Sequence, residues 1–180
     1  GIVPFATVLI HLGWTIISSG GTAKVLRDAQ LQVTDVAEIS GLPPILGHRV
    51  VTLVPPIHGG LLANESQRDE LNSLNYPWID LCCVDFYPLS EAIADPNATE
   101  ESVIEKTDIG GLTMVRAAAK GRRIVVVDPS DRILVLEWIK AGQPNSVNFK
   151  RRLAAKAEKI VAEYCNQSSD FLSRVSNSAD

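Results

Sequence analysis

The segment Asp108-Ile109-Gly110-Gly111, followed closely by Arg116-Ala117-Ala118-Ala119-Lys120, sets an acid ahead of a glycine pair and a lysine at the end of an alanine run. Glycines let the backbone approach a ligand without Cβ interference. A helix beginning there turns free N–H groups and a partial positive charge toward a phosphate, a carboxylate or a carbonyl oxygen. Helix capping by Asp108, a glycine turn and a lysine set against the C-terminal dipole account for the same residues. The fragment alone therefore favours an ordinary helix with two well-chosen ends over a binding site.

A second candidate is Ser18-Ser19-Gly20-Gly21-Thr22-Ala23-Lys24. Small residues expose backbone N–H groups, the hydroxyls add donors, the following helix adds its dipole, and Lys24 brings charge close by. It is not a Walker motif, and a lone glycine loop after a strand is weak evidence against an ordinary tight connection. The third is Arg49 to Gly60, where Arg49 can hold an anion bidentately and Thr52 can donate to it. His58, ahead of the second glycine pair, reads as a structural hydrogen-bonder.

These residues need elements to position them. Apolar residues at helical spacing predict a helix from Ile2 to Leu12, and strand formers follow at Trp14 to Ser18. After the Ser19–Thr22 loop, Val25, Leu26 and Ala29 mark a second amphipathic helix, and Val33 to Val36 a second strand. The strongest strand candidates are Ile79 to Phe86 and Arg123 to Val127, whose near-continuous apolarity suits strands covered on both faces. Helices are predicted over Glu65 to Leu74, Glu100 to Lys106, Gly111 to Ala119, Asp131 to Lys140 and Asn148 to Leu172, with a fraying tail from Ser173. Alternation of strands and helices implies an α/β domain of three layers around a mainly parallel sheet. Such sheets bind ligands at the carboxyl ends of their strands, where the Ser19 loop and the Asp85-Phe86-Tyr87-Pro88 turn both fall.

Composition narrows the classes. A chain of 180 residues builds one domain, and a net charge of −4 with no long basic cluster argues against broad nucleic-acid binding. Lys150-Arg151-Arg152 reads as a solvated helix face. Cys82, Cys83 and Cys165 have no disulfide or zinc spacing, which points to a reducing, cytoplasmic setting and to no metal. No apolar stretch approaches the ~20 residues of a membrane span, so a soluble protein without a membrane partner is expected.

Taken in order, Ser18 to Lys24, Gly47 to Gly60, Phe86-Tyr87-Pro88, Asp108 to Gly111 and Arg116 to Lys120 form a series that resembles the inosine monophosphate cyclohydrolase domain. That domain is the N-terminal half of a bifunctional purine-synthesis enzyme whose other half is a formyltransferase. The likeness covers nearly the whole chain and implies a cyclohydrolase-like domain over residues 1–172, with a polar tail over 173–180. It also implies the methylglyoxal-synthase-like fold, a homodimer, and closure of the formamido-imidazole-carboxamide ribonucleotide ring to inosine monophosphate (IMP) without metal or organic cofactor. By this resemblance Ser19, Gly20, Gly21, Thr22, Lys24, Arg49 and Thr52 bind the purine nucleotide and its phosphate. Ile109, Gly110 and Gly111 offer their amides, and Tyr87, Asp108 and Lys120 act on the reacting groups.

The departures are as specific as the matches. Val51 stands where the resembled family has an active-site lysine, Val54 where it has a histidine, Asp85 where it has an asparagine, and Gly121-Arg122 where it has Asn-His. These changes open a second reading, a catalytically impaired nucleotide-binding or regulatory module on the same fold. A methylglyoxal-synthase-type lyase ranks third. The family's first strand, with its Ser-Asp-Lys phosphate contacts, is not found from Gly1 onward, so either the sequence begins after that strand, the favoured expectation, or the protein lacks it, and a parallel sheet without that member is expected to show bare backbone groups and an apolar slot. Helical spacing sets Asp108 and Lys120 well over ~10 Å apart, so joint action on one atom requires a helix that bends or stops early, and otherwise Lys120 reaches a site that its own Asp108 does not line.

Overall fold

A computed structural model describes residues 1–178. Helix α1 (Ile2–His11) buries Phe5, Ala6 and Leu9 along one face and leads into strand β1 (Ile17–Ser18). Ser19, extended at φ −143° and ψ 167°, starts α2 (Gly20–Asp28), and β2 (Thr34–Asp35) pairs parallel to β1 with Ile17 opposite Thr34. Asp35 then caps α3 (Val36–Ser40) through a capping box with Glu38. Helix α4 (Pro55–Leu62), a 3₁₀ turn (Glu65–Gln67) and α5 (Arg68–Ser73) precede β3 (Leu81–Cys83). After α6 (Leu89–Ala94), α7 (Glu100–Glu105) and α8 (Gly110–Lys120), β4 (Ile124–Val126) pairs parallel to β3. Helices α9 (Asp131–Lys140) and α10 (Ser146–Ser178) complete the fold.

Two apolar layers enclose β4, as alternation along a strand demands. Val125 joins Val36, Ile57, Leu61, Val115 and Ala157 on one face. Ile124 and Val126 join Phe5, Leu9, Val135 and Trp138 on the other. The α/β three-layer architecture with parallel pairing is the one the sequence predicts.

The strands are shorter than predicted, and the reason is visible between the ladders. Ile16 O accepts from Thr34 N at 2.9 Å, so parallel alternation turns the backbone groups of Ile17 away from β2. Bonds from Ile124 N to Asp80 O and from Val84 N to Val126 O turn those of Leu81 and Cys83 away from β4. Both free edges face a cavity of about 760 Å³, walled by Phe5 and Leu9 on one side and by Ile57 and Met114 on another. Trp14–Ile16 and Ile79–Asp80 border this slot and pair on one side at most, so the ladders stop short.

Three helices differ from the predicted pattern. Pro55 and Pro56 occupy the first turn of α4, where their missing N–H groups cost nothing, although Pro-Pro followed by Gly-Gly reads as a turn in sequence. Helices α3 and α6 are too short to show a period. The segment expected to fray from Ser173 stays helical through Ser178, and residues 179 and 180 lie outside the described part.

Candidate functional site

The site is organised around the entrance to α8. Asp108 is half-buried, and its Oδ1 accepts from Gly111 N at 2.7 Å. A Cβ on Gly111 would stand 2.3 Å from Asp108 Oδ2 and 2.9 Å from Val84 Cγ1, so only glycine lets the carboxylate lie across the helix start. Burial raises the Asp108 carboxyl above its ordinary value, and the Gly111 amide pulls partly the other way. The peptide N–H of Asp108 donates to the Tyr164 hydroxyl on α10 at 2.9 Å. Gly110 faces Thr52, whose Oγ1 lies 2.7 Å from where a Gly110 Cβ would be.

Thr52 also lines the cavity between the ladders, together with Ser18, Ser19 and Thr22. Residues of the strand-to-helix loop and of the Arg49–Gly60 segment thus line one cavity. Gly20 adopts φ +55°, a left-handed conformation that glycine reaches without strain, and both Gly20 and Gly21 are exposed with open space where a Cβ would stand. Behind Thr52, burial lowers the His58 ring below its ordinary value, opposed by a hydrogen bond to the Thr52 backbone, while its Nε2 is buried without a partner.

The predicted cations are engaged elsewhere. Lys24 pairs with Asp28 one turn along α2 at 2.6 Å, and Arg49 pairs with Glu105 from α7. Both pairs are exposed, where such contacts are weak and exchangeable. Arg116 reaches Glu158 on α10 at 2.5 Å. Tyr87 is 65% exposed and lines a separate hollow of about 340 Å³ with Phe86, Pro88 and Tyr164. The helix leading to Lys120 is not cut short, as an early stop would have made it. Helix α8 is continuous over Gly110–Lys120, about 15 Å at the usual rise, and Lys120 is exposed at its far end. Within one chain Thr52 is therefore the link, lining the cavity with Ser19 and Thr22 and lying beside Gly110 of the Asp108 turn, while Lys120 stands at the far end of α8.

Comparison with known proteins follows the same outline. The MGS-like domain model matches residues 1–113, more than half of the chain. The chain belongs to the MGS-like domain family. It is 43% identical over 177 residues to the bifunctional purine biosynthesis protein PurH of Lysinibacillus sphaericus and 42% identical to that of Bacillus cereus strain B4264, each match covering 96% of this chain. The chain spans about a third (35%) of the length of these relatives. A solved structure, that of ForH, superposes with a TM-score of 0.84 at 36% identity, covering 96% of this chain and 91% of that one. The kinship with the cyclohydrolase domain that the motif series implies is thus confirmed.

Within this MGS-like domain, the substituted positions acquire physical accounts. Asp85 accepts from Arg132 Nη2 of α9 through both oxygens at 2.5 Å, and the Arg132 side chain is only 7% exposed. Its charge is therefore committed to a buried guanidinium rather than turned on a ligand. The same guanidinium stands beside Cys83, whose thiol burial pushes up and Arg132 draws back down. Gly121 has no room for a side chain, since a Cβ there would lie 1.8 Å from Leu61 O at the end of α4. Val54 packs against the first apolar layer. Nothing in the structure explains Val51.

Sequence reasoning missed Arg132 and Tyr164. The first lies 47 residues from Asp85 and the second 56 from Asp108, so neither pairing leaves a local pattern in the sequence. An arginine on the buried stripe of α9, beside Val135 and Trp138, is the signal that pointed to a hidden partner.

Proposed function

We propose that this chain closes the ring of 5-formamidoimidazole-4-carboxamide ribonucleotide to give IMP with loss of water. The reading rests on the junction at Thr52, whose hydroxyl lies beside Gly110 while the same residue lines the cavity that Ser19 and Thr22 also line. It is supported by 43% identity to a bifunctional purine biosynthesis protein. A nucleotide spanning this junction has its phosphate among the small polar residues of the α2 entrance and its base at the Asp108 turn.

Ring closure forms one C–N bond between the carboxamide nitrogen and the formyl carbon. The carboxamide and formamido nitrogens each give up a proton, and the formyl oxygen leaves with both as water. Asp108, its carboxyl raised by burial, accepts the proton from the carboxamide nitrogen. The amides of Ile109 and Gly110 at the start of α8 face the formyl oxygen as negative charge builds on it. In this reading Tyr87, whose turn packs through Phe86 against Tyr164, donates to that oxygen as it departs. Continuous spectrophotometry of purine formation by the purified chain tests the proposal, and absence of turnover rejects it.

A second reading, nucleotide binding without turnover, has its own observations. Val51 can neither carry charge nor move a proton, and Lys24 and Arg49 are paired with Asp28 and Glu105. Calorimetric titration with IMP decides this reading, because saturable binding without turnover supports it and absence of binding removes it.

A further inference from the structure

Tyr164 touches both segments to which the proposed chemistry is assigned. It lies on α10 with 7% of its surface exposed, in a cluster with Leu89 and Val103. Packing in such a cluster is satisfied by a phenylalanine, so the hydroxyl needs its own explanation, and a buried tyrosine hydroxyl ordinarily finds a hydrogen-bond partner. Here it accepts the Asp108 peptide N–H at 2.9 Å across 56 residues of sequence. Its ring meets Phe86, the residue before Tyr87, with centroids 5.7 Å apart and planes tilted by 59°. It also forms a wall of the hollow that Tyr87 and Pro88 line.

We propose that Tyr164 is a positioning residue, whose hydroxyl fixes the Asp108 peptide plane and whose ring sets the Phe86–Tyr87 turn, so that one rigid helix holds the acid and the phenol in register. The proposal rests on the ring-closing reading for its kinetic consequence, but the anchoring itself is a statement about the Asp108 turn alone. Asp108 is held at two points, its carboxylate Oδ1 by Gly111 N and its backbone N–H by the Tyr164 hydroxyl. Removing the second lets the peptide rotate, and the carboxylate swings with it. Sites held by side chains that are themselves locked in packing keep the sub-ångström tolerance that proton transfer needs. Position 164 meets that condition, because α10 packs against both α8 and β4.

The test is Tyr164→Phe in the full chain, which keeps the ring and deletes one oxygen. The expected result is a fall in kcat of about tenfold to a hundredfold with KM changed less than about twofold, the pattern of a misplaced reacting group rather than a lost binding contact. The second readout is amide hydrogen exchange by NMR, where the Asp108 N–H is expected to be protected in the unmodified protein and to exchange faster in the variant. A kcat retained within twofold, or a KM rise that accounts for the whole loss, overturns the positioning role. An Asp108 amide that exchanges freely in the unmodified protein overturns it as well, even where the variant fails to fold. If the unmodified chain does not turn over, the ring-closing reading falls and the exchange data alone decide the anchoring.

Discussion

Replacing Asp85 with asparagine restores the residue that cyclohydrolase-type sequences carry ahead of the Phe-Tyr-Pro turn, yet the geometry argues that the restored protein is less stable. Arg132 donates to both oxygens of Asp85 at 2.5 Å, and an amide keeps one acceptor while losing the charge. A hydrogen bond to a charged group contributes about 1.5–3 kcal/mol, and a fully buried charge left without its partner costs about 3–5 kcal/mol. The Arg132 side chain is 7% exposed but that of Asp85 is 54% exposed, so water screens the pair and the lower range applies, about 1–3 kcal/mol. For a chain of this length each kcal/mol moves Tm by about 2–4 °C, which gives an expected drop of roughly 2–12 °C. Scanning calorimetry of the parent, Asp85→Asn and the double variant Asp85→Asn/Arg132→Met measures it, and the double variant is expected to recover much of the loss. An unchanged or higher Tm for Asp85→Asn refutes the claim that this carboxylate is held by Arg132.

Gly111→Ala places a Cβ 2.3 Å from Asp108 Oδ2, so the carboxylate must swing away. Ring-closing turnover is expected to fall about a hundredfold with an unchanged circular dichroism spectrum, and retained turnover contradicts the assignment of Asp108. Gly121→Ala meets the Leu61 carbonyl at 1.8 Å and is expected to cost about 1–3 kcal/mol in urea denaturation, against which a neutral result would stand. Because burial raises the Asp108 carboxyl, its active carboxylate form is lost as pH falls through a value above the ordinary ~3.9. The acid limb of kcat/KM is expected above that value, and a limb at or below it counts against Asp108 as the base. The same shift favours the protonated folded state, so this group's contribution to stability is present below ~3.9 and is lost as pH rises through the folded value.

The elements legible in the sequence are those with long, unbroken patterns. Asp131–Lys140 is helical over its predicted bounds, and the apolar run at Ile124–Val126 is a strand buried on both faces. The Asp108–Gly111 entrance to α8 was equally readable, because an acid followed by two glycines encodes its own local hydrogen bond. Pro55–Leu62 was not, since the punctuation that starts a helix and the glycine that lets α4 approach Pro77 O look like a turn until the fold is known. Long-range partners leave no local trace. Glu105 beside Arg49, Arg132 beside Asp85 and Tyr164 beside Asp108 are brought together only by the packing of helices against the sheet.

The central claim is that ring closure depends on the acid held at the entrance to α8. Its most direct test is the ratio of ring-closing kcat between the unmodified chain and Asp108→Asn, measured at saturating substrate. Loss of a positioned general base is expected to lower the rate about 10²- to 10⁴-fold. A variant that retains the parent's rate contradicts the account.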